Sequence, residues 1–400
     1  MKQKIIPFFL LLSFTGNLLL AQVKLSSTDM IKIDKEILLE KKNRLQSGDA
    51  TLVPAYNQLL KDADKALNYK PVTVMNKTDL PPSGNKHDYM SIAPYWWPNP
   101  SSSNGLPYIR KDGVVNPEIK NFPDKENMPV LCETIHLLAL AYYYSNDEKY
   151  AAHASQLIRV WFLDTATKMN PHLNYGQAVK GVTTGRAEGL IDTRHFILVI
   201  DAIGLLKNAA SWTTNDQIGI KNWFTDFLNW MQTSEIGRDE LNAKNNHGVW
   251  FDAQSLSFAI FAGNLSLTNE IISRAAKRLD QQMDANGFFP LEMDRTTSLH
   301  YTVFTMNAFV IIAQLAEKSG TDFWFLKTSS GKSFKKCFEV MLPFITGQKK
   351  WEGQQIKPFD RKDAVPLLLR AGKKYNCNSC SESIKDIEGV QFDKLLLNLL

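Results

Sequence analysis

Apolar side chains recur every three or four residues along most of the chain. Over 128–144 they fall at Val130, Leu131, Ile135, Leu138 and Tyr142, the stripe of a helix that buries one face. Ser145, Asn146 and Asp147 interrupt the period, which resumes over 150–162 and predicts a helical hairpin. Another helix is predicted over 190–206, followed by a polar turn over 210–215. Thr213 or Thr214 there can cap the next helix, whose apolar positions are Ile218, Trp223, Phe227, Leu228 and Met231. Further helices are predicted over 249–262, 268–284, 297–317 and 331–342, with Thr268 as a capped start and Gly287 as a stop. Two more precede residue 70, over 30–44 and 53–67.

Alternating β-branched runs, the mark of strands, are almost absent. Roughly ten helices joined as successive hairpins predict an all-α fold, an (α/α) toroid or incomplete barrel of helical hairpins around a central cleft. In such a fold long functional loops at one end carry the chemistry. Two segments break the helical period. Residues 81–123 are rich in Pro, Gly, Asn and Ser and hold Tyr89, Tyr95, Trp96, Trp97 and Tyr108. Residues 165–188 hold His172, Asn174, Tyr175, Gln177 and Arg186. Both are too aromatic for disordered linkers, and ordered loops of that length serve a purpose.

The chain starts with Lys2 and Lys4, then a mostly apolar run that ends at Leu18-Leu19-Leu20-Ala21-Gln22. This pattern predicts a signal peptide over 1–21, cut after Ala21, with export to a periplasm. The run is short for a membrane span and is broken by Pro7, Gly16 and Asn17; an uncleaved anchor is the competing reading. No later stretch reads as a membrane span, so residues 22–400 are expected to form one domain that is not an integral membrane protein. Without Lys2 and Lys4 the 46 basic residues become 44 against 41 acidic ones, a balance of +3. That is too mild for nucleic-acid binding, and a basic surface for an anionic partner must be local to a cleft. Of the four cysteines, Cys132 and Cys337 lie among apolar residues and read as core. Cys377 and Cys380 fit a local disulfide, free thiols or, lacking further ligands nearby, a poor metal site.

Two short stretches carry the candidate chemistry. Asn245-Asn246-His247-Gly248, followed by Trp250 and Asp252, sits where a polar loop meets a helix. Backbone N–H groups and carboxamide donors converge at such a start and can hold an anion. The plain alternative is that Asn246 caps the helix and His247 is a hydrogen-bonded surface residue. The second stretch runs from Arg295 through Thr297, Ser298 and His300 to Tyr301 and opens the helix after Pro290. It combines one permanent positive charge with two side chains that transfer protons. Tyr301 as a core aromatic and His300 as a satisfied helix residue are the plain alternatives.

These residue types belong together in β-elimination on a uronate chain. The C5 proton is weakly acidic, so the adjacent carboxylate must be neutralised while the proton leaves; Arg, Asn or a protonated His can do that. A base takes the proton and an acid returns one to the departing glycosidic oxygen. Tyrosine suits both tasks when nearby cations lower its pKa. No metal or organic cofactor is expected.

Asn245-Asn246-His247 and the stretch from Arg295 to Tyr301 resemble the signature elements of the alginate lyase family with a helical-toroid fold. The segment from Asp88 through Tyr95-Trp96-Trp97-Pro98 to Pro100, continuing through Gly105–Arg110 to Asn116-Pro117-Glu118, resembles an exported Bacteroidetes branch of it. The likeness spans about residues 70–320. It implies that Asn246 and Arg295 neutralise the substrate carboxylate, that His247 assists or acts as base, and that Tyr301 is the acid and also a candidate base. On mannuronate the C5 hydrogen and O4 share a face, so one tyrosine can serve both; on guluronate they oppose, which favours His247 as base. The Arg-to-Tyr spacing differs slightly from better-known relatives, which leaves His300 as a rival for the central place.

The surrounding loops supply a groove for an anionic polysaccharide, with alginate as the leading substrate. Tyr95, Trp96 and Trp97 can stack on sugar faces. Tyr89, Gln177, Arg186, Arg194, Asn245 and His300 are candidates for hydroxyls and further carboxylates, Arg being suited to bidentate recognition. Asp192 could instead pair with Arg194 or Arg186. Three other readings compete. They are a lyase on glucuronan or a glycosaminoglycan, a hydrolase using Asp192 and Asp252 as its two carboxyl groups, and a glycan-binding protein without catalysis. After Thr346 the tail is polar with scattered aromatics over 351–361, and is expected to be a surface segment or to close one end of the groove.

Overall fold

Helix α3 (Pro123–Ser145) opens on Pro123 at its first position, where a missing N–H costs nothing, and ends at Asn146 in the left-handed conformation (φ 55°). Asp147 then caps α4 (Glu148–Ile158), so the three polar residues that broke the sequence period form the tip of the hairpin. The structure, a computed structural model, describes residues 32, 34–390, 396 and 397. The predicted signal peptide and the start of the helix predicted over 30–44 lie outside the described residues. In chain order the remaining helices are α1 (Lys35–Gln46), α2 (Val53–Ala66), α5 (Phe196–Leu205), α6 (Thr214–Thr233), α7 (Glu235–Leu241) and α8 (Asn246–Ala262). They continue with α9 (Leu265–Gln282), α10 (Pro290–Met293), α11 (Ser298–Lys318), α12 (Phe334–Ile345), α13 (Val365–Lys374) and α14 (Asn378–Lys385).

Capping chemistry explains several of these boundaries. Thr213 caps α6 in a reciprocal box with Asp216. Asn264 caps α9, four residues ahead of the start expected at Thr268, whose hydroxyl donates to the Asn264 carbonyl. Ser333 caps α12. The helix expected over 190–206 is split: Ala187–His195 is a 3-10 helix and only Phe196–Leu205 is α. Close packing holds the first half in place, since a Cβ on Gly189 would lie 2.6 Å from the Gly176 carbonyl carbon. Two members of the expected apolar stripes, Val130 and Ile218, are exposed. The buried faces run instead through Leu131, Ile135 and Leu138, and through Ile220, Trp223 and Phe227.

Helix pairs stack around one continuous buried cluster. Its centre is aromatic, with Phe162, Phe196, Trp223, Phe224, Phe227 and Phe258 meeting edge-on or stacked at ring separations near 5–6 Å. Fully burying each such side chain contributes roughly 1.5–3 kcal/mol. Helix α11 is long and apolar enough to cross a membrane, contrary to the sequence expectation, but most of it is buried against α8 and its neighbours.

Among the described residues strands are confined to the two aperiodic segments. β1 (Met90–Ile92) pairs in parallel with β4 (Tyr175–Ala178), and β2 (Trp96–Trp97) pairs antiparallel with β3 (Ile109–Arg110). The first pairing ties the two long loops together at one end of the helical array. The tail also departs from expectation. Residues beyond Thr346 form α13 and α14, and the stretch before them is stitched to the start of α11. Ser298 donates to the Gln354 carbonyl through both its amide and its hydroxyl, Ile356 N–H donates to Thr296, and the Trp351 indole donates to Ser298. Neither Thr297 nor Ser298 caps α11 with its side chain. Cys377 and Cys380 form a disulfide with Cα atoms 5.5 Å apart, and Cys132 and Cys337 are buried thiols.

Candidate active site

Helices α8 and α11 start at the same end of the fold, and their first turns open on a cleft of about 1370 Å³. That exceeds the roughly 300–1,000 Å³ of a small-molecule pocket and suits a stretch of polymer. Asn245, Asn246 and His247 come from one helix start, and Arg295, His300 and Tyr301 from the other. The loop segments add Tyr95, Trp96, Gln177, Arg186 and Arg194. Tyr89 and Trp97, both expected in the groove, do not line it. Tyr89 is fully buried and its hydroxyl donates to Asp192 at 3.1 Å, while the Trp97 indole donates to the Val114 carbonyl.

Asn245 is the true cap of α8, accepting from the His247 amide, which leaves Asn246 and His247 inside the first turn. The His247 Nδ1 meets Glu240 Oε1 at 2.7 Å. Burial opposes a charge on His247, but the Glu240 carboxylate outweighs it and raises the imidazole pKa above its ordinary value. The pair therefore favours an imidazolium whose Nε2 has no hydrogen-bond partner among the described residues. Asn246 is held by Glu292. Its backbone N–H donates to Oε1 at 2.6 Å, and its Nδ2 donates to Oε2 at 2.9 Å and Oε1 at 3.1 Å.

Arg295 forms a two-pronged ion pair with Asp112, Nη2 to Oδ1 at 2.7 Å and Nε to Oδ2 at 3.1 Å. Asp112 also accepts from the Thr296 hydroxyl and from Arg110, so one loop carboxylate gathers two guanidinium groups. The Arg295 guanidinium carbon lies 3.6 Å from the Tyr301 ring centroid. The Tyr301 hydroxyl shares a 2.9 Å hydrogen bond with that of Tyr95. The sequence expectation was that cations lower the pKa of this tyrosine. In the structure burial, with Tyr95 alongside, outweighs Arg295 and pushes it well above the ordinary value.

His300 sits at the rim. Its ring lies parallel to that of Phe304, and its Nδ1 meets Asp363 at 3.1 Å. Tyr301, not His300, is the side chain packed between Arg295 and Tyr95. Gln177 lines the cleft but spends its amide inside the protein, donating to Asp192 and accepting from Arg186. Arg186 lies over Trp96 and pairs with Glu188, and Arg194 lies over Phe304. Asp192 binds neither Arg194 nor Arg186. It accepts from Tyr89, Ser91 and Gln177 and pairs with Lys125. Asp252, the second carboxyl of the hydrolase reading, is buried between Arg274 and Arg278 and lies outside the cleft.

The alginate lyase family matches residues 73–351, more than half of the chain and both helix starts. The chain belongs to the alginate lyase family. It is a polysaccharide lyase, and the family implies an anionic polysaccharide as substrate. A crystal structure of an alginate lyase from Bacteroides ovatus is 38% identical, covers 92% of this chain and 98% of its own, and superposes with a TM-score of 0.86. Alginate lyase A1-III from Sphingomonas species A1 is 16% identical over 94% of this chain and 97% of its own, with a TM-score of 0.59. The same lyase in complex with a tetrasaccharide gives a TM-score of 0.60 at 16% identity, over the same shares. At that identity the likeness concerns the helical toroid. No curated protein sequence matches the chain.

The lyase's cleft is not a basic trench. Six Arg and Lys side chains line it against six Asp and Glu, so a polyanion must be met by individually placed cations. The carboxylates that hold the candidate side chains are the ones sequence reasoning missed: Glu240 on His247, Asp112 on Arg295 and Glu292 on Asn246. The family match extends to residue 351, into the tail that is stitched to the start of α11.

Proposed function

We propose that this lyase cleaves alginate by β-elimination, with mannuronate-rich stretches preferred and unsaturated uronate ends as products. The observation that carries the reading is the arrangement around Tyr301, with a guanidinium over its ring and Asn246 and His247 across the same cleft. In this reading Arg295, Asn246 and a protonated His247 neutralise the carboxylate of the sugar whose C5–H bond breaks, which stabilises the enolate-like intermediate. Arg295 favours the phenolate of Tyr301, which takes the C5 proton. The phenol so formed returns that proton to O4 as the C4–O4 bond breaks.

The preference for mannuronate follows from the faces involved. On mannuronate the C5 hydrogen and O4 lie on one side, where a single tyrosine can act twice. Guluronate needs a base on the opposite side, and the Glu240 carboxylate favours the protonated form of His247, the residue that would serve. A glucuronate chain shares the C4–C5 arrangement of mannuronate and is the second substrate this site would process. Trp96 and Tyr95 supply sugar-facing aromatic surface, and Arg186 and Arg194 are placed for flanking carboxylates. The chemistry is assigned to the chain's own side chains. We further propose that residues 1–21 direct export to the periplasm and that 22–400 act as one lyase domain; a mature amino terminus at Gln22 in the exported protein is the expected result.

The test is ultraviolet absorbance during incubation with mannuronate-rich alginate, guluronate-rich alginate, glucuronan and hyaluronan. A conjugated double bond at the new end absorbs, and a hydrolysis product does not. The fastest rise is expected with mannuronate-rich alginate. New reducing ends without absorbance would overturn elimination, and a faster rise with guluronate would overturn the assignment of Tyr301 as the two-step group.

A further inference from the structure

The amide of Asn246 faces the wrong way for the task its position suggests. Both of its Nδ2 contacts go to Glu292, at 2.9 and 3.1 Å. Its Oδ1 is buried and has no hydrogen-bond partner. Asn246 borders the cleft without being exposed to solvent, its one unpartnered polar atom is an acceptor, and a uronate carboxylate is also purely an acceptor. Two acceptors in contact repel, and a carboxylate brought against the unpaired Oδ1 gains nothing from this residue.

Rotating the amide about its last bond would aim Nδ2 at the cleft. The same rotation brings Oδ1 to within about 3 Å of both Glu292 oxygens, in a spot where both residues are shut off from solvent. An ionised Glu292 cannot accept that arrangement, because a carbonyl oxygen would face a carboxylate with no proton between them. A protonated Glu292 can. Its hydroxyl donates to Oδ1 while its other oxygen still accepts from the Asn246 backbone N–H.

We propose that Glu292 takes up one proton from solvent when an anionic sugar enters the cleft, and that this proton lets Asn246 turn its NH2 group onto the substrate carboxylate. This rests on the reading that the cleft binds uronates. Glu292 is a positioning residue here, acting through Asn246. The charged groups facing it are Arg295 and His247, each already engaged by its own carboxylate, Asp112 and Glu240. Burial raises the Glu292 pKa above the ordinary glutamate value against the pull of the Asn246 hydrogen bonds, which favours proton uptake.

The experiment is calorimetric titration of an alginate tetrasaccharide into the Tyr301→Phe protein, in buffers of different ionisation enthalpy at mildly alkaline pH. The dependence of heat on buffer gives the protons taken up. The expected uptake includes about one proton that disappears in the Tyr301→Phe, Glu292→Gln double variant. A glutamine there can accept from the backbone N–H and donate to Oδ1, which fixes the turned amide without titration. Tetrasaccharide affinity of the double variant is therefore expected to fall less steeply with rising pH than that of Tyr301→Phe, by up to about tenfold per pH unit. Binding with equal proton uptake in both proteins, or none in Tyr301→Phe, would overturn the proposal and leave the uronate reading standing. No binding heat with any uronate oligosaccharide would overturn both.

Discussion

The Arg295 guanidinium lies 3.6 Å from the centre of the Tyr301 ring, and Asp112 holds it there from a loop 183 residues earlier in the chain. A cation on the ring face lowers the cost of charge on the phenol, and burial raises it. The ion pair therefore controls both where the cation sits and how much of its charge Tyr301 feels. Asp112→Ala should leave the helices intact yet lower kcat by about tenfold to a hundredfold, the loss of a charge-assisted hydrogen-bond pair. Steady-state rates on mannuronate-rich alginate check this. A change confined to KM would mean that Arg295 only binds.

The pH dependence of kcat has a definite sign. If Tyr301 acts as a phenolate and burial holds its pKa above the ordinary value, the reactive form grows as pH rises. The rate is expected to increase from neutral into alkaline solution and to fall again where His247 loses the proton that helps neutralise the substrate carboxylate. A rate that rises through the histidine range and then levels would point to neutral histidine as the base.

His247 gives a second pH signature, in stability. Its folded pKa is raised by Glu240, so the folded state holds the proton more tightly than the unfolded chain. That contribution is fully present below the unfolded value of about 6.5 and is lost as pH rises through the folded value. The melting temperature of the native protein minus that of His247→Gln should therefore be largest at mildly acidic pH and shrink on going alkaline. A difference that grows with pH would contradict the imidazolium assignment.

Two adjacent tryptophans should behave differently. Trp96 lines the cleft beneath Arg186, whereas Trp97 hydrogen-bonds to Val114 beneath Lys111. Trp96→Ala is expected to raise KM for alginate several-fold, and Trp97→Ala to leave KM unchanged while costing about 1 kcal/mol of stability. Equal effects on KM would place both in the groove.

The parts of this site that were legible in the sequence are those encoded locally. The three-to-four residue period shows the helices, Thr213 announces a helix start, Ser145–Asp147 mark a hairpin tip, and Asn245–His247 and Arg295–Tyr301 stand out as polar clusters at the heads of apolar runs. The supporting carboxylates were not legible. Asp112 and Arg295 meet only when the loop after β3 folds onto α11, and Glu292 lies 46 residues from Asn246. The strap over 351–356 was read as surface because it binds Thr296–Ser298 largely through backbone groups, which leave no side-chain pattern. Tyr89 was misplaced for a related reason. An aromatic in a polar loop suggests a sugar contact, and only the pairing of β1 with β4 shows that it lies beneath the cleft beside Asp192.

The proposed elimination turns on one oxygen atom. Tyr301→Phe keeps the ring against Arg295 and removes only the hydroxyl that meets Tyr95, so the fold and oligosaccharide binding should survive. The decisive measurement is the ultraviolet absorbance of mannuronate-rich alginate incubated with native and Tyr301→Phe protein at equal concentration. The expected result is a steady rise with the native protein and a rate at least about a thousandfold lower with the variant. A variant that forms unsaturated ends at a rate near native would contradict the assignment of Tyr301 and with it the mechanism built around that residue.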